Sequence, residues 1–262
     1  MSKTIVMIHG MWSKASFWDN YKSYFEKRGY RCITPTLRFH DMDPGDEPDP
    51  ALGTVSLQDY ADDIEQEIKK LDEEPIIMGH SMGGIITQIL GGRGLGKALI
   101  MLCPSAPAGV NALNYYSLKT FFGIMWKWGY WRKPFRLSFD KCHYSMFAVM
   151  PKEQRKKFYN ELIYESGRAL WEIGFWLLDR KHASRIDEKK VTVPVMVVAG
   201  SKDKMNPPSV MKKIAKKYKT VSTYKEFPNQ SHWFILEPGW DSVADYLEGW
   251  LENVAIENFY AS

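Results

Sequence analysis

The sequence predicts an α/β protein built on a doubly wound, mostly parallel sheet of about six strands, interrupted by a helical cap insertion. Two observations carry the sheet. Short runs of apolar residues, such as "TIVMIH" at 4–9 and "PIIMGH" at 75–80, have the near-continuous hydrophobicity of strands buried on both faces. Stretches of helical periodicity lie between such runs, so strand and helix alternate along the chain. A third observation marks the insertion. The alternation breaks over residues 105–190, where five of the ten tryptophans lie: Trp126, Trp128, Trp131, Trp171 and Trp176.

Each element has a local reason. After the first strand, "SFWDNYKSYFEKRG" (16–29) reads as a helix stopped by Gly29, and "RCITP" (31–35) as the second strand. "DMDPGDEPDPALG" (41–53) is a surface loop rich in Pro, Asp and Gly. In "SLQDYADDIEQEIKKL" (56–71), Ser56 and Asp59 form a capping-box-like helix start. The third strand at 75–80 runs into a helix over Met82–Leu90, and "KALIMLC" (97–103) is the fourth. Beyond the break come a strand at 193–200, a helix at 208–218, a strand "STYKEF" at 222–227 and a closing amphipathic helix at 239–257. Within the break, residues 151–179 read as two helices, with Pro151 suited to a first helical position. The expected division is therefore a core of residues 1–104 and 191–262 with a cap, residues 105–190, over one end of the sheet.

Composition narrows the function classes. With 262 residues, 45% hydrophobic and 25% charged, the chain is expected to fold as one globular unit. The net charge of +4 comes from lysines and arginines on predicted helix faces, and no nucleic-acid-binding pattern accompanies them, so nucleic acid is not expected as a partner. Cys32, Cys103 and Cys142 are odd in number and widely spaced, which favours a reducing compartment. The amino terminus enters a strand without the marks of a secretory signal, and no window reaches about 18 apolar residues. A soluble cytoplasmic protein without stable membrane insertion is the expectation. The sequence carries no signal of oligomeric state.

Chemistry concentrates at "GHSMG" (79–83), a G-x-S-x-G pattern between a strand and a helix. Glycine is needed on both sides of the serine because side chains in so tight a turn would collide with the adjoining strand and helix. Ser81 is thereby raised at the carboxyl edge of the sheet, where open α/β sheets bind ligands. A serine hydroxyl needs a base, and the base an orienting acid. Asp203 in "GSKDKMNP" and His232 in "NQSHWF" follow later strands and open on the same edge. Asp187 precedes its strand and lies at the wrong edge, and the position after the fourth strand offers only Cys103, Pro104 and Ser105. His80 is expected to support the turn; His40, His143 and His182 read as surface residues. No histidine or carboxylate cluster suggests a metal, and no cofactor is expected. The backbone N–H groups of Met82 and of Met11, in the loop after the first strand, are the expected oxyanion donors. Losing one such donor typically costs about 3–4 kcal/mol.

In order and spacing, "VMIHGMW", "GHSMGG", "GSKDKMNP" and "NQSHWF" resemble the oxyanion loop, nucleophile turn, acid loop and histidine loop of the α/β-hydrolase family, over nearly the whole chain. The resemblance is to the compact branch that includes plant methylesterases, hydroxynitrile lyases and many bacterial esterases. It implies an eight-stranded sheet shortened to about six strands. The loop "PTLRFHDMDPGDEPDP" departs from the shorter turn of many relatives, leaving that pocket wall open. A serine nucleophile disfavours epoxide hydrolysis and dehalogenation, and the first reading is esterase or lipase-like hydrolysis of a small-molecule ester through an acyl-enzyme. The aromatic cap suggests an apolar acyl or alcohol moiety, with Trp12, Trp126, Trp128 and Trp233 expected at the substrate pocket. Carbon–carbon hydrolysis or lyase chemistry on the same three residues stays open, as does a non-catalytic receptor for a small ligand. A further reading is attraction to anionic lipid surfaces through "WKWGYWRKPFR".

Overall fold

The computed structural model of the protein describes residues 3–261. Six strands form one all-parallel sheet: β1 (Thr4–Ile8), β2 (Arg31–Ile33), β3 (Ile76–His80), β4 (Ala98–Leu102), then, beyond the insertion and its own short strand pair, β7 (Val195–Gly200) and β8 (Ser222–Phe227). Their spatial order is β2-β1-β3-β4-β7-β8. Every residue of β1, β3, β4 and β7 is buried, as their apolar runs require. The edges differ. β2 spans only three residues, and β8 is half-exposed and carries Lys225, features that blunt an edge against pairing with another chain.

From β1 the chain moves outward to β2 and then returns to β3 on the other side of β1, so the order reverses between β1 and β3. Such a switch point opens a crevice at the carboxyl ends of those two strands. Because right-handed crossovers in opposite directions put their helices on opposite faces, both faces of the sheet are covered. Helix α1 (Asp19–Glu26) packs against α9 (Trp240–Ala261), and α2 (Leu57–Ile68) against α3 (Met82–Gly92). The first ten residues of α3 are buried, which explains an apolar composition all round. In α9, Val243, Leu247, Trp250, Leu251 and Val254 line up at helical spacing and are buried. Ser56 and Asp59 make the expected capping box at the start of α2, and α8 (Pro208–Lys217) opens on Pro208.

Residues 105–190 hold four helices: α4 (Tyr115–Met125), α5 (Phe139–Ser145), α6 (Lys152–Glu161) and α7 (Gly167–Gly174). Between them β5 (Pro134–Phe135) pairs antiparallel with β6 (Glu165–Ser166). Two of these helices, α6 and α7, match the expected pair, although Pro151 sits just outside α6 as its cap rather than inside. The segment is bonded to the sheet's loops. Ile163 N–H donates to the Trp12 carbonyl at 3.0 Å, and Ser166 Oγ donates to Val55 O at 2.7 Å. The three cysteines are free and buried, and among the described residues no helix is long and apolar enough to cross a membrane.

Candidate active site

The parallel register brings the ends of β1, β3, β4, β7 and β8 to one edge, and five loops leave from it. Ser81 follows β3 directly and caps α3 with φ 53° and ψ −113°, a backbone conformation costly for a side chain. Two glycines make that turn possible. A Cβ on Gly79 would strike the Gly83 carbonyl and Thr87 Oγ1, and one on Gly83 would strike the Ile8 carbonyl. Ser81 is then pinned from β4, since its N–H donates to Leu102 O at 3.0 Å and its carbonyl accepts from Ser105 N–H at 2.8 Å. Trp12 and Cys103, at the ends of β1 and β4, also have positive φ, so strain gathers along this edge.

The structure brings Ser81, His232 and Asp203 into one chain of hydrogen bonds. Ser81 Oγ lies 3.0 Å from His232 Nε2, and His232 Nδ1 lies 2.8 Å from Asp203 Oδ2. The other Asp203 oxygen accepts from Met205 N–H at 2.8 Å and Asn206 N–H at 2.9 Å. Burial opposes ionisation of Asp203, yet the His232 ring and the Asn206 N–H outweigh it and hold the carboxyl below its ordinary value. An ionised Asp203 on the Nδ1 side leaves Nε2 free to accept the serine proton. Ser81 as a residue is 9% exposed.

His80 supports the loop that carries His232. Its Nε2 donates to the His232 carbonyl at 2.7 Å, because a carbonyl can only accept. Burial, and then the facing His232 ring, lowers the His80 pKa to about 3, so it stays neutral. His9 does comparable work after β1. Its Nδ1 donates to Gly10 O at 3.0 Å, while its Nε2 accepts from Leu37 N–H at 3.3 Å. Burial, with the His40 ring second, lowers His9 to about 3 as well. A planar trans peptide points its N–H opposite to its C=O, so holding the Gly10 carbonyl also fixes the direction of Met11 N–H. That loop lies against the serine: a Cβ on Gly10 would stand 3.0 Å from Ser81 Cβ. Among the described residues neither Met11 N–H nor Met82 N–H donates to another protein group.

Several expected residues sit elsewhere than the sequence suggested. Trp126 and Trp128 are 80% and 89% exposed and wall no enclosed pocket; an indole in the chain does not reveal which way its helix turns. Trp233 is buried beneath the histidine loop, its ring 5.6 Å from His80 and 5.7 Å from Phe17. Trp12 is buried beside the Met11 N–H, stacked on Phe121 at 6.2 Å and edge-on to Phe135 at 5.5 Å. His40 is not a surface residue. It is buried, with Nε2 3.1 Å from Glu165 across 125 positions of sequence, while His143 and His182 are exposed.

Two residues of this neighbourhood, one never singled out in the sequence and one set aside there, sit against the relay. Glu237 is fully buried and holds the histidine loop, accepting from Ser231 N–H at 2.7 Å and from Ser231 Oγ. Its signal was a lone carboxylate inside the apolar run "WFILEPGW". Cys103 forms with Asp203 and His232 a buried group whose ligand atoms all lie within 4.8 Å of one another, the spacing a metal would need. Two of those atoms are already hydrogen-bonded to each other, and burial together with the Asp203 charge pushes the Cys103 thiol well up, which keeps it protonated and a poor ligand.

Residues 5–245 match the alpha/beta hydrolase family, and the chain belongs to it. A pyrethroid hydrolase from Sphingobium wenxiniae is 31% identical over 80 residues, a stretch that is 30% of this chain and 27% of that relative. Among solved structures, a pyrethroid hydrolase from Sphingobium faniae superposes with a TM-score of 0.69 at 16% identity, covering 96% of this chain and 98% of the other. A methylesterase from Arabidopsis gives 0.70 at 13% identity, covering 95% and 98%. At these identities the structural likeness speaks for the fold.

Proposed function

We propose that the chain is a serine hydrolase of carboxylic esters bearing an apolar acyl or alcohol group. The observation that carries the reading is the continuous Ser81–His232–Asp203 relay at 3.0 Å and 2.8 Å, set on a strained serine at the sheet's switch point. His232 Nε2 takes the Ser81 proton as Oγ attacks the ester carbonyl, and Asp203 stabilises the imidazolium that results. The N–H groups of Met82, at the start of α3, and Met11 receive the oxyanion. His232 then returns the proton to the departing alcohol, leaving an acyl-Ser81 that water clears by the same steps in reverse. Residues 105–190 act as the cap, and the Trp12–Phe121–Phe135 cluster beside Met11 supplies an apolar wall suited to aryl or medium-chain groups. The pyrethroid hydrolase and methylesterase named above support hydrolysis over the lyase and receptor readings.

The test is turnover of p-nitrophenyl esters of graded acyl length by the intact chain, with fluorophosphonate labelling alongside. Ser81→Ala is expected to lose label and to fall by about 10⁴-fold or more in kcat. A folded protein that neither turns over any ester nor takes the label would overturn the proposal.

A further inference from the structure

Helix α4 and the turn after it present a surface that none of the described residues covers. Leu118, Phe122 and Trp126, each four residues from the next, form one stripe along α4. All three are exposed, with Phe122 at 61%, and Tyr115 a turn earlier is exposed as well. The opposite side of the helix, through Thr120, Phe121 and Ile124, packs on the protein. A helix apolar on both sides is normally buried on both sides, so the stripe lacks a partner. The patch runs on through Trp128, whose ring meets Trp131 at 5.0 Å; Trp131 meets Trp171 at 5.3 Å, and Trp171 stacks on Phe175 at 4.7 Å, just before exposed Leu177 and Leu178.

Charge says what partner fits. Between Leu113 and Phe139 there is no Asp or Glu, while Lys119, Lys127, Arg132, Lys133 and Arg136 give five positive charges. Of these, Lys119, Lys127, Arg132 and Lys133 are exposed. Exposed tryptophan and tyrosine among unopposed cations is the composition that settles at the boundary between lipid headgroups and acyl chains, with the rings at headgroup depth and the cations on anionic phosphates. A second copy of this chain would instead bring the four exposed cations of each face against their like. We infer that the α4 face docks the protein reversibly on an anionic lipid surface, with Phe122, Trp126 and Trp128 entering the interface and Lys119, Lys127, Arg132 and Lys133 holding the headgroups. The inner side of α4 rests on Trp12 beside the oxyanion loop, so docking would set the lipid phase next to the site proposed for apolar esters. The docking itself does not depend on that activity.

The test is co-sedimentation of the full chain with phosphatidylcholine vesicles containing or lacking phosphatidylglycerol, at low and high salt, with tryptophan emission followed and the oligomeric state measured by analytical ultracentrifugation. Expected are binding to the anionic vesicles only, a blue shift on binding and loss of binding at high salt. Replacing Phe122, Trp126 and Trp128 together by alanine should weaken partitioning at least about tenfold. As exposed residues outside the relay, they should leave hydrolysis of a short water-soluble p-nitrophenyl ester unchanged. Lys127→Glu with Lys133→Glu should weaken vesicle binding to a similar extent while keeping every ring. Equal binding to neutral and anionic vesicles, no binding to either, or a dimer that buries the three rings and competes with vesicles would each overturn the inference. Because soluble ester turnover is read separately, a chain that docks but is inert would refute only the hydrolase reading.

Discussion

Gly83 carries more of the site than its missing side chain suggests. Its Cα faces the carbonyl of Ile8, close enough that a methyl group there would collide with backbone rather than with a side chain able to turn away. Gly83→Ala must therefore push α3 off β1 and carry Ser81 Oγ out of the 3.0 Å contact with His232. A displacement on the order of 1 Å costs about 100-fold in rate, so kcat/KM for a p-nitrophenyl ester should fall at least that far while far-UV circular dichroism stays close to wild type. Asp203 is the complementary case, since its replacement changes charge without changing shape. Asp203→Asn keeps an oxygen for the Met205 and Asn206 N–H groups but offers His232 an amide in place of a carboxylate. Without that charge the imidazolium is unsupported and the ring can adopt the wrong tautomer, and kcat should drop by about 10⁴-fold. A variant within tenfold of wild type would show that Asp203 is not the orienting acid.

Among the elements, the joint between α2 and α7 should respond to pH. Glu172 of α7 accepts from Leu57 N–H at 2.8 Å and from Ser56 Oγ at 2.9 Å, and pairs with Arg168 at 3.1 Å. Burial nevertheless pushes its pKa up to about 7, the hydrogen bonds and Arg168 only partly offsetting the lost hydration. A carboxyl whose folded pKa is raised holds its proton longer in the native state than in the unfolded chain. Stability therefore falls as pH rises from the ordinary carboxylate range through about 7. At about 1.4 kcal/mol per pKa unit the loss comes to about 3 kcal/mol, or about 6–12 °C in Tm for a chain of this size. Thermal melts at pH 5 and pH 8 should show that decline, and Glu172→Gln should flatten it; an equally steep decline in the variant would remove Glu172 as its source. The role of Glu172 in this joint was not legible beforehand, because it sits in a stretch of ordinary helical periodicity and its partners on α2 lie 115 and 116 positions away. The sheet was legible for the opposite reason. Burial on both faces makes β1, β3, β4 and β7 continuous apolar runs, and β8 closes at the expected Ser222 and Phe227. Likewise Ser81 could be picked out by its G-x-S-x-G turn, and Asp203 and His232 by their strand-end loops, since a parallel sheet sends all those loops to one edge. The directions of the insertion's tryptophans depend on how four helices turn against one another, and no local pattern encodes that.

For the whole molecule the question is whether residues 105–190 and the sheet fold as one cooperative unit. Buried polar contacts argue that they do. Glu165 of β6 accepts from Tyr60 Oη of α2 at 2.8 Å and from its neighbour Ser166 N–H, and faces His40 Nε2 at 3.1 Å. His40 Nδ1 meets the Arg38 carbonyl at 3.0 Å, so both ring nitrogens face acceptors, as an imidazolium requires. Burial opposes that charge, but Glu165 overrides it and raises the His40 pKa. Both side chains are fully buried, and His40 in turn lies 5.1 Å from the His9 ring that fixes the Gly10 carbonyl. Insertion, helix, loop and proposed oxyanion donor thus share one network, and an opening of the insertion would strand a charge in the interior. Heating should accordingly give coincident transitions by tryptophan emission, half of whose reporters lie in the insertion, and by far-UV circular dichroism. Glu165→Ala leaves His40 uncompensated and should cost about 3–5 kcal/mol. Adding His40→Leu in the same chain should recover much of that, because the stranded charge leaves with its partner. If the tryptophan signal melts well before the sheet in the unaltered chain, the insertion folds separately and the buried pair is not what joins the two.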